Sequence, residues 1–177
     1  TTRTAPRCFR TEAAWQRVEQ AYAQLPAALE LLRQMVDINS FTANRDGVNR
    51  LARFTADAFA PLGFATESVP SVNPNYGDHL VLTRRGSSGR SLALISHLDT
   101  VFPPEEEERN NFKWSVEGDR IFGPGTNDIK GGSVMMWLVL SALRTHSPAL
   151  FEDLTWKLLW NSSEECFSPD FGNVCRE

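Results

Sequence analysis

The sequence has no long apolar run and no cluster of basic residues. Its 177 residues include 18 Lys or Arg and 22 Asp or Glu, which gives a formal net charge of -4. A protein that binds a phosphate backbone needs a basic patch, so we expect no nucleic-acid partner. The longest apolar stretch, residues 134–143, is interrupted by Ser141. It is shorter than the ~20 residues of a membrane helix, so we expect no membrane span.

Cysteine is also scarce, with only Cys8, Cys166 and Cys175 in the sequence. An odd count without a paired short spacing indicates neither a disulfide framework nor a structural zinc knuckle. No apolar signal core precedes the first predicted helix, so the cytoplasm is the expected compartment. Because the chain starts at Thr1 rather than at Met, a processed secreted or periplasmic form is the alternative.

The length is typical of one domain, since domains usually hold about 100–200 residues. Apolar residues at helical spacing predict helices, and short apolar runs bounded by turn residues predict strands. Residues 102–125 are predicted to be mostly loop, with a small hairpin near Gly118 and a solvated acidic loop at 105–108. The predicted helices are residues 12–24, 27–37, 44–62 and 132–143, and the predicted strands are residues 64–69, 79–83, 92–96 and 154–160.

The last two predicted strands are separated by a long loop and a helix, which is the pattern of a crossover connection. Such a connection joins parallel strands, so we expect an α/β fold in which a largely parallel sheet is flanked by helices. Open α/β sheets collect catalytic groups at the carboxyl ends of their strands. Residues that directly follow the predicted strands are therefore the first candidates for a functional site.

Acidic and histidine residues follow two predicted strands and interrupt one glycine-rich loop. Residues two apart in an extended chain project to the same face, so one carboxylate can orient the histidine ring two positions before it. Imidazole nitrogen and carboxylate oxygen are mixed ligands that suit zinc or a similar divalent metal. The candidate residues are His97, Asp99, Asp128, Glu164 and Glu165.

The glycine-rich loop at residues 123–132 has other interpretations. Asp128 stands at the third glycine position of a dinucleotide-binding loop, where its charge would repel a pyrophosphate, and Lys130 is not followed by the sequence of a P-loop. Nucleotide binding is therefore disfavoured. In a simpler interpretation, Asp128 caps the helix that follows, and the glutamate pair is a solvated turn.

Three segments stand in a fixed order along the chain: SHLDTVFP at residues 96–103, GPGTNDIKGG at residues 123–132 and NSSEE at residues 161–165. Together they resemble the M20 zinc metallopeptidases, a family that includes glutamate carboxypeptidases, acetylornithine deacetylases and succinyl-diaminopimelate desuccinylases. The resemblance implies that residues 1–177 are the N-terminal portion of an incomplete zinc-peptidase-like catalytic domain. The lid or dimerisation domain, the C-terminal part of the catalytic domain, a further acidic ligand and a late histidine are expected beyond residue 177.

By this resemblance, the sequence carries three metal ligands and two catalytic residues. His97 would bind one zinc ion, Asp128 would bridge two ions, and Glu165 would bind the second ion. Glu164 would act as the general base, and Asp99 would orient His97. The expected cofactor is a pair of Zn²⁺ ions, for which Co²⁺ or Mn²⁺ could substitute.

The reaction that the resemblance implies is hydrolysis of an amide bond in a small peptide or an acyl-amino acid by metal-activated water. The HLDTVFP and GPG segments favour the glutamate-carboxypeptidase-like branch, and a homodimer is an expected form of the longer chain. The chain departs from the family at Ser163, where aspartate is common, and at Cys166 and Phe167, where a glycine is common. The alternatives are a catalytically inactive fragment or binding remnant, and a deacylase with one metal ion.

Overall fold

The computed structural model describes residue 19 and residues 22–176. Cys8 and most of the predicted helix at residues 12–24 lie outside these residues. The described helices are α1 (Leu25–Val36), α2 (Arg45–Phe59), α3 (Pro104–Asn110), α4 (Gly131–His146), α5 (Pro148–Asp153) and α6 (Phe171–Val174). The described strands are β1 (Ala65–Val69), β2 (His79–Arg84), β3 (Ser91–His97), β4 (Ser115–Glu117), β5 (Arg120–Phe122) and β6 (Thr155–Asn161).

Helix α2 begins and ends at residues whose chemistry favours a helix boundary. Its N-cap is Asn44, whose side-chain oxygen accepts a hydrogen bond from Gly47 N at 3.2 Å. Ala60–Leu62 add a turn of 3-10 helix, which stops at Gly63 with a left-handed φ of 87°. The prediction of a helix at 44–62 that ends at a glycine is therefore confirmed.

The four longer strands form one sheet in the order β1-β2-β6-β3. Strands β3 and β6 run parallel, whereas β1 pairs antiparallel with β2 and β2 pairs antiparallel with β6. Helices flank this sheet, so the predicted α/β class is confirmed. The prediction of largely parallel pairing is wrong for the described strands.

The lengths of the connections explain this correction. Parallel neighbours need a crossover of about a dozen residues or more, and a shorter connection usually reverses the chain. Residues 70–78 between β1 and β2, and residues 85–90 between β2 and β3, are shorter than that. Only β3 and β6 are joined by a long segment that contains α4, and these two strands run in the same direction.

Helices α3, α5 and α6 are not among the helices that the sequence predicts. Helix α3 occupies the stretch that was predicted to be an acidic loop, and that prediction is wrong. It begins with Pro104 and carries Glu105, Glu106 and Glu107 in its first turn, where a helix favours both proline and negative charge. The predicted hairpin is confirmed as β4 and β5, with Gly118 at a φ of 62° in its turn.

The main core lies between the sheet and helices α1, α2 and α4. Trp160 of β6 and Phe59 of α2 are fully buried, and their ring centroids lie 5.5 Å apart in an edge-to-face contact. Leu82 and Leu158 are register partners on β2 and β6, and both are fully buried. Apolar residues of β6 therefore connect the helical layer to the middle of the sheet.

A smaller cluster covers the other face of the sheet. Phe171 of α6 packs there against Val81 and Leu159. This contact fixes the segment that follows β6 against the sheet. None of the described helices is long and apolar enough to cross a membrane.

We expect Leu158→Ala to lower the free energy of unfolding by about 2–5 kcal/mol, because it removes buried apolar atoms and leaves a cavity. The matched control is Leu150→Ala on α5, where the leucine is 45% exposed. This control should change the free energy of unfolding by less than about 1 kcal/mol. Urea unfolding followed by tryptophan fluorescence measures both variants, and equal losses would contradict the central position of β6.

Candidate metal centre

The two parallel strands bring their following segments together at one edge of the sheet. Strand β3 ends at His97 and β6 ends at Asn161, and these residues are register partners. The pairing continues one residue past the end of β3, since Leu98 N donates a hydrogen bond to Asn161 O at 2.8 Å. The segment that carries Asp99 and the turn that carries the glutamate pair therefore leave the sheet side by side.

His97 is buried, and its two ring nitrogens face different groups. Nδ1 lies 3.0 Å from Asp99 O and 3.3 Å from Asp99 Oδ1. Nε2 lies 3.0 Å from Asp128 Oδ1 and 3.9 Å from Glu164 Oε2. When Nδ1–H is donated to Asp99, the lone pair of the neutral ring is on Nε2, which faces the acidic groups. The predicted contact between Asp99 and His97 is present, and it involves the carbonyl as well as the carboxylate.

The acidic groups around His97 change its pKa. Burial alone would lower this pKa, but hydrogen bonds to Asp99 and Asp128 and the charge of Glu164 raise it to about 9. At neutral pH without a metal, both ring nitrogens are therefore protonated, and the ring is a cation among carboxylates. A metal cation that binds Nε2 must displace the proton on that nitrogen.

Asp99 is buried and connects three segments of the chain. Its carboxylate accepts hydrogen bonds from Thr42 Oγ1 at 2.7 Å, Glu164 N at 2.9 Å and Glu165 N at 3.1 Å. Burial would raise the pKa of Asp99, but these bonds and His97 outweigh burial and leave the pKa below its usual value. Asp99 therefore stays ionised and holds the glutamate turn by its backbone.

The contact of Thr42 with Asp99 was missed in the sequence, where these residues are 57 positions apart. Thr42 is fixed close to Asp99 because Thr42 N donates to Thr100 O at 3.2 Å and Thr100 N donates to Ser40 O at 2.9 Å. Pairing between such distant segments leaves no local periodicity, so no sequence pattern indicated it.

Asp128 reaches the site from the loop before α4. This loop turns at Gly125, whose φ is 75°, and is tied to the body of the protein by the buried Lys130, which donates from Nζ to Ile38 O at 2.9 Å. The Asp128 side chain is 71% exposed, with its carboxylate beside His97. Helix α4 has no side-chain cap, so the simpler interpretation of Asp128 as a capping residue is wrong.

The two glutamates after β6 have different environments. Glu164 is exposed, and its carboxylate faces the same His97 nitrogen as Asp128 does. Glu165 is half-buried. Burial is the largest cause that raises the pKa of Glu165; the negative charges of Asp128, Asp99 and Glu164 also raise it, and the charge of His97 opposes them. In the metal-free site the surroundings therefore disfavour the ionised form of the Glu165 carboxylate.

The structure brings together all five residues that the sequence indicated. One ligand atom from each of His97, Asp128 and Glu165 lies within 4.8 Å of the other two. A nitrogen and two carboxylate oxygens at this spacing fit a divalent cation such as zinc. Four carboxylates surround a single imidazole here, so a cation would also neutralise an excess of negative charge.

A cavity of about 350 Å³ opens beside this cluster. Asp128 and Glu165 line it together with Phe102 and Gly123. Its volume is in the range of small-molecule sites, which begins at about 300 Å³. The acidic cluster is therefore accessible to a ligand of modest size.

Relatives of known identity match the chain over the same region. Residues 93–173, which include every candidate residue, match the model of peptidase family M20/M25/M40. The chain is 30% identical over 147 residues to Carboxypeptidase G2 from Pseudomonas sp. (strain RS-16), which covers 83% of this chain and 34% of that relative. It is 32% identical over 115 residues to acetylornithine deacetylase from Vibrio campbellii, which covers 61% of this chain and 29% of that relative.

The fold is similar to that of the di-peptidase Dug1p from Saccharomyces cerevisiae, with a TM-score of 0.75 over 94% of this chain and 38% of that protein. Sequence identity to it is 14%, so this likeness concerns the fold alone. The chain spans about a third of the length of the relatives that it matches. The predicted family is confirmed by these matches: the chain belongs to peptidase family M20/M25/M40.

Proposed function

We propose that the protein is a metal-dependent hydrolase that cleaves an amide bond in a small peptide or an acyl-amino acid. The observation that carries this proposal is the convergence of His97, Asp128 and Glu165 within 4.8 Å. A separate carboxylate, that of Glu164, faces the same His97 nitrogen at 3.9 Å. Hydrolysis needs both features, because one group of residues must hold the cation and another must accept a proton.

His97 Nε2, Asp128 and Glu165 are the proposed metal ligands. We propose Zn²⁺ as the cofactor, with Asp128 shared between two ions and with Co²⁺ or Mn²⁺ as substitutes. A zinc ion bound there would polarise the substrate carbonyl and make a water molecule more acidic. The charge surplus of the cluster and its mixed nitrogen and oxygen donors support this proposal.

Glu164 is the proposed general base. Its carboxylate is exposed, so it can take a proton from water at Oε2 and pass that proton to the nitrogen of the leaving amine. Its backbone N–H is bound by Asp99, which keeps the carboxylate beside the proposed ligands. Asp99 itself is buried and fully engaged in hydrogen bonds, and it acts by orienting His97 and the turn.

The preferred substrate class is that of a glutamate-carboxypeptidase-like enzyme. Support comes from the match to Carboxypeptidase G2, which covers 83% of the chain. We propose further that residues 1–177 form the N-terminal portion of the catalytic domain, in agreement with the 38% of the Dug1p chain that they match.

A deacylase with a single metal ion is the second candidate. It is favoured by the three ligand groups around one point, since a catalytic zinc commonly has three protein ligands and one open position. Metal analysis of the complete protein separates the two candidates. The single-metal deacylase would contain one equivalent of zinc per chain, and the two-metal hydrolase would contain two.

Glu164→Gln should reduce kcat by about 100- to 10,000-fold in the complete protein, because the proton acceptor is lost. Zinc content should stay unchanged, since Glu164 is not a proposed ligand. The matched control is Glu105→Gln on the exposed surface of α3, which should alter neither quantity. Hydrolysis of an acyl-amino acid and atomic absorption measure the two effects, and loss of zinc from Glu164→Gln would refute the assigned role.

His97→Ala and Asp128→Ala should lose zinc during dialysis, because each removes a proposed ligand. If Asp128 bridges two ions, its removal should affect both, whereas Asp119→Ala, which changes an exposed aspartate in the β4–β5 turn, should affect neither. Zinc per protein after dialysis is the measurement. Full retention of zinc by Asp128→Ala would show that the bridge does not exist.

Zinc binding should release about one proton from His97 at pH 7, because its pKa in the metal-free protein is about 9. This pKa is raised above its unfolded value, so the bound proton stabilises the metal-free fold below pH 6.5 and loses that effect as the pH rises through about 9. Zinc affinity should therefore increase with pH up to about 9. Calorimetry in buffers of different ionisation enthalpy measures the release, and a pH-independent affinity would contradict this prediction.

A further inference from the structure

A second histidine, His79, lies behind the glutamate turn. It is the first residue of β2, its side chain is fully buried, and its ring centroid lies 5.3 Å from that of Phe171. Nδ1 lies 3.1 Å from both the backbone nitrogen and the hydroxyl of Ser162. Nε2 lies 3.0 Å from Asp170 Oδ2. Neither the proposed metal ligands nor the proposed base includes this residue.

These contacts determine which ring nitrogen of His79 carries the proton. A backbone N–H can only donate, so Nδ1 must accept the hydrogen bond from Ser162 N. The proton of the neutral ring is then on Nε2, where it is donated to Asp170. Both ring nitrogens are thereby satisfied in the interior of the protein.

Asp170 holds the far side of the ring. Its Oδ2 also accepts hydrogen bonds from Val72 N at 2.9 Å and from Ser71 Oγ at 3.2 Å. Burial would raise the pKa of Asp170, but the bonds from Val72 N and His79 lower it to about 2. An ionised carboxylate that is fixed to the loop after β1 therefore fixes the direction of the His79 ring.

The bond to Nδ1 is the first of four consecutive backbone anchors along the glutamate turn. Ser163 N donates to Asn161 Oδ1 at 3.0 Å, and the next two amides donate to Asp99. Ser162 is fully buried, so its hydroxyl cannot reach a substrate as a nucleophile would have to. The contacts of His79 thus hold the backbone where the turn leaves β6.

We infer that His79 is a positioning residue: together with Asp170, it fixes the turn that presents Glu164 and Glu165. Without an acceptor at Nδ1, the buried Ser162 N–H would have no partner, and the turn would have to move to satisfy it. The inference rests on the proposed function, because that function assigns Glu164 to proton transfer and Glu165 to the metal.

The test compares His79→Gln with His79→Asn in the complete protein. The amide of Asn is close enough to the backbone to place its oxygen near the position of Nδ1, so it can accept from Ser162 N. The longer side chain of Gln places its amide near Nε2 and leaves Ser162 N without its acceptor. Amide hydrogen exchange of Ser162, Glu164 and Glu165 is measured first, without metal.

In His79→Gln we expect exchange at these three amides to be about tenfold faster or more, and zinc affinity to fall about 10-fold, as when groups that support ligands are lost. His79→Asn should stay within about threefold of the original protein in both measurements. The midpoint of global unfolding should be similar in the two variants. A general loss of stability would not produce this difference between them.

Unchanged exchange at Glu164 and Glu165 in His79→Gln would overturn the inference. It would also be overturned if exchange increased equally in His79→Gln and His79→Asn. If His79→Gln does not fold, Asp170→Asn provides the readout, because it weakens the anchor of the ring without removing the ring. It should speed exchange at the same three amides by about two- to threefold. His79→Asn also loses the contact with Asp170, so the two variants share the limit of about threefold. No increase in Asp170→Asn would overturn the inference. Faster exchange in a protein that binds no zinc would support the positioning role and refute the proposed function.

Discussion

The geometry of the candidate site depends on one buried carboxylate, that of Asp99. Its oxygens hold Thr42 and the backbone of both glutamates, while its carbonyl lies 3.0 Å from Nδ1 of His97. A buried carboxylate is costly unless it is hydrogen-bonded, so the same bonds that keep Asp99 ionised also fix the groups that donate them. Three segments that are far apart in the sequence are held in one arrangement as a result.

The cluster in front of Asp99 is electrostatically unbalanced without a cation. Four carboxylates surround a single histidine, and against the effect of burial they raise the pKa of His97 to about 9. Burial, together with the neighbouring negative charges, raises the pKa of Glu165. Both shifts lower the local negative charge by favouring bound protons. A divalent cation would also neutralise this charge, and the spacing of the three proposed ligands suits it.

Buried hydrogen-bond acceptors hold the backbone of the turn that carries Glu164 and Glu165. His79, Asn161 and Asp99 accept hydrogen bonds from four consecutive amides, so every backbone N–H from residue 162 to residue 165 is bonded. The parallel pairing of β3 with β6 makes this possible, because it brings the ends of both strands to the same edge. The fold thus combines an exposed acidic surface with a buried set of acceptors behind it.

The sequence by itself determined the family, the five residues of the candidate site and most strands and longer helices, because these follow from motif spacing and local apolar periodicity. It could not determine that β6 lies between β2 and β3, since the order of strands depends on which surfaces pack together. Helix α3 was missed because its seven residues are too few to show a helical periodicity of apolar positions. Only the tertiary structure decided the supporting contacts of Thr42 with Asp99 and of His79 with Asp170, because hydrogen bonds across 57 and 91 positions leave no local pattern in the chain.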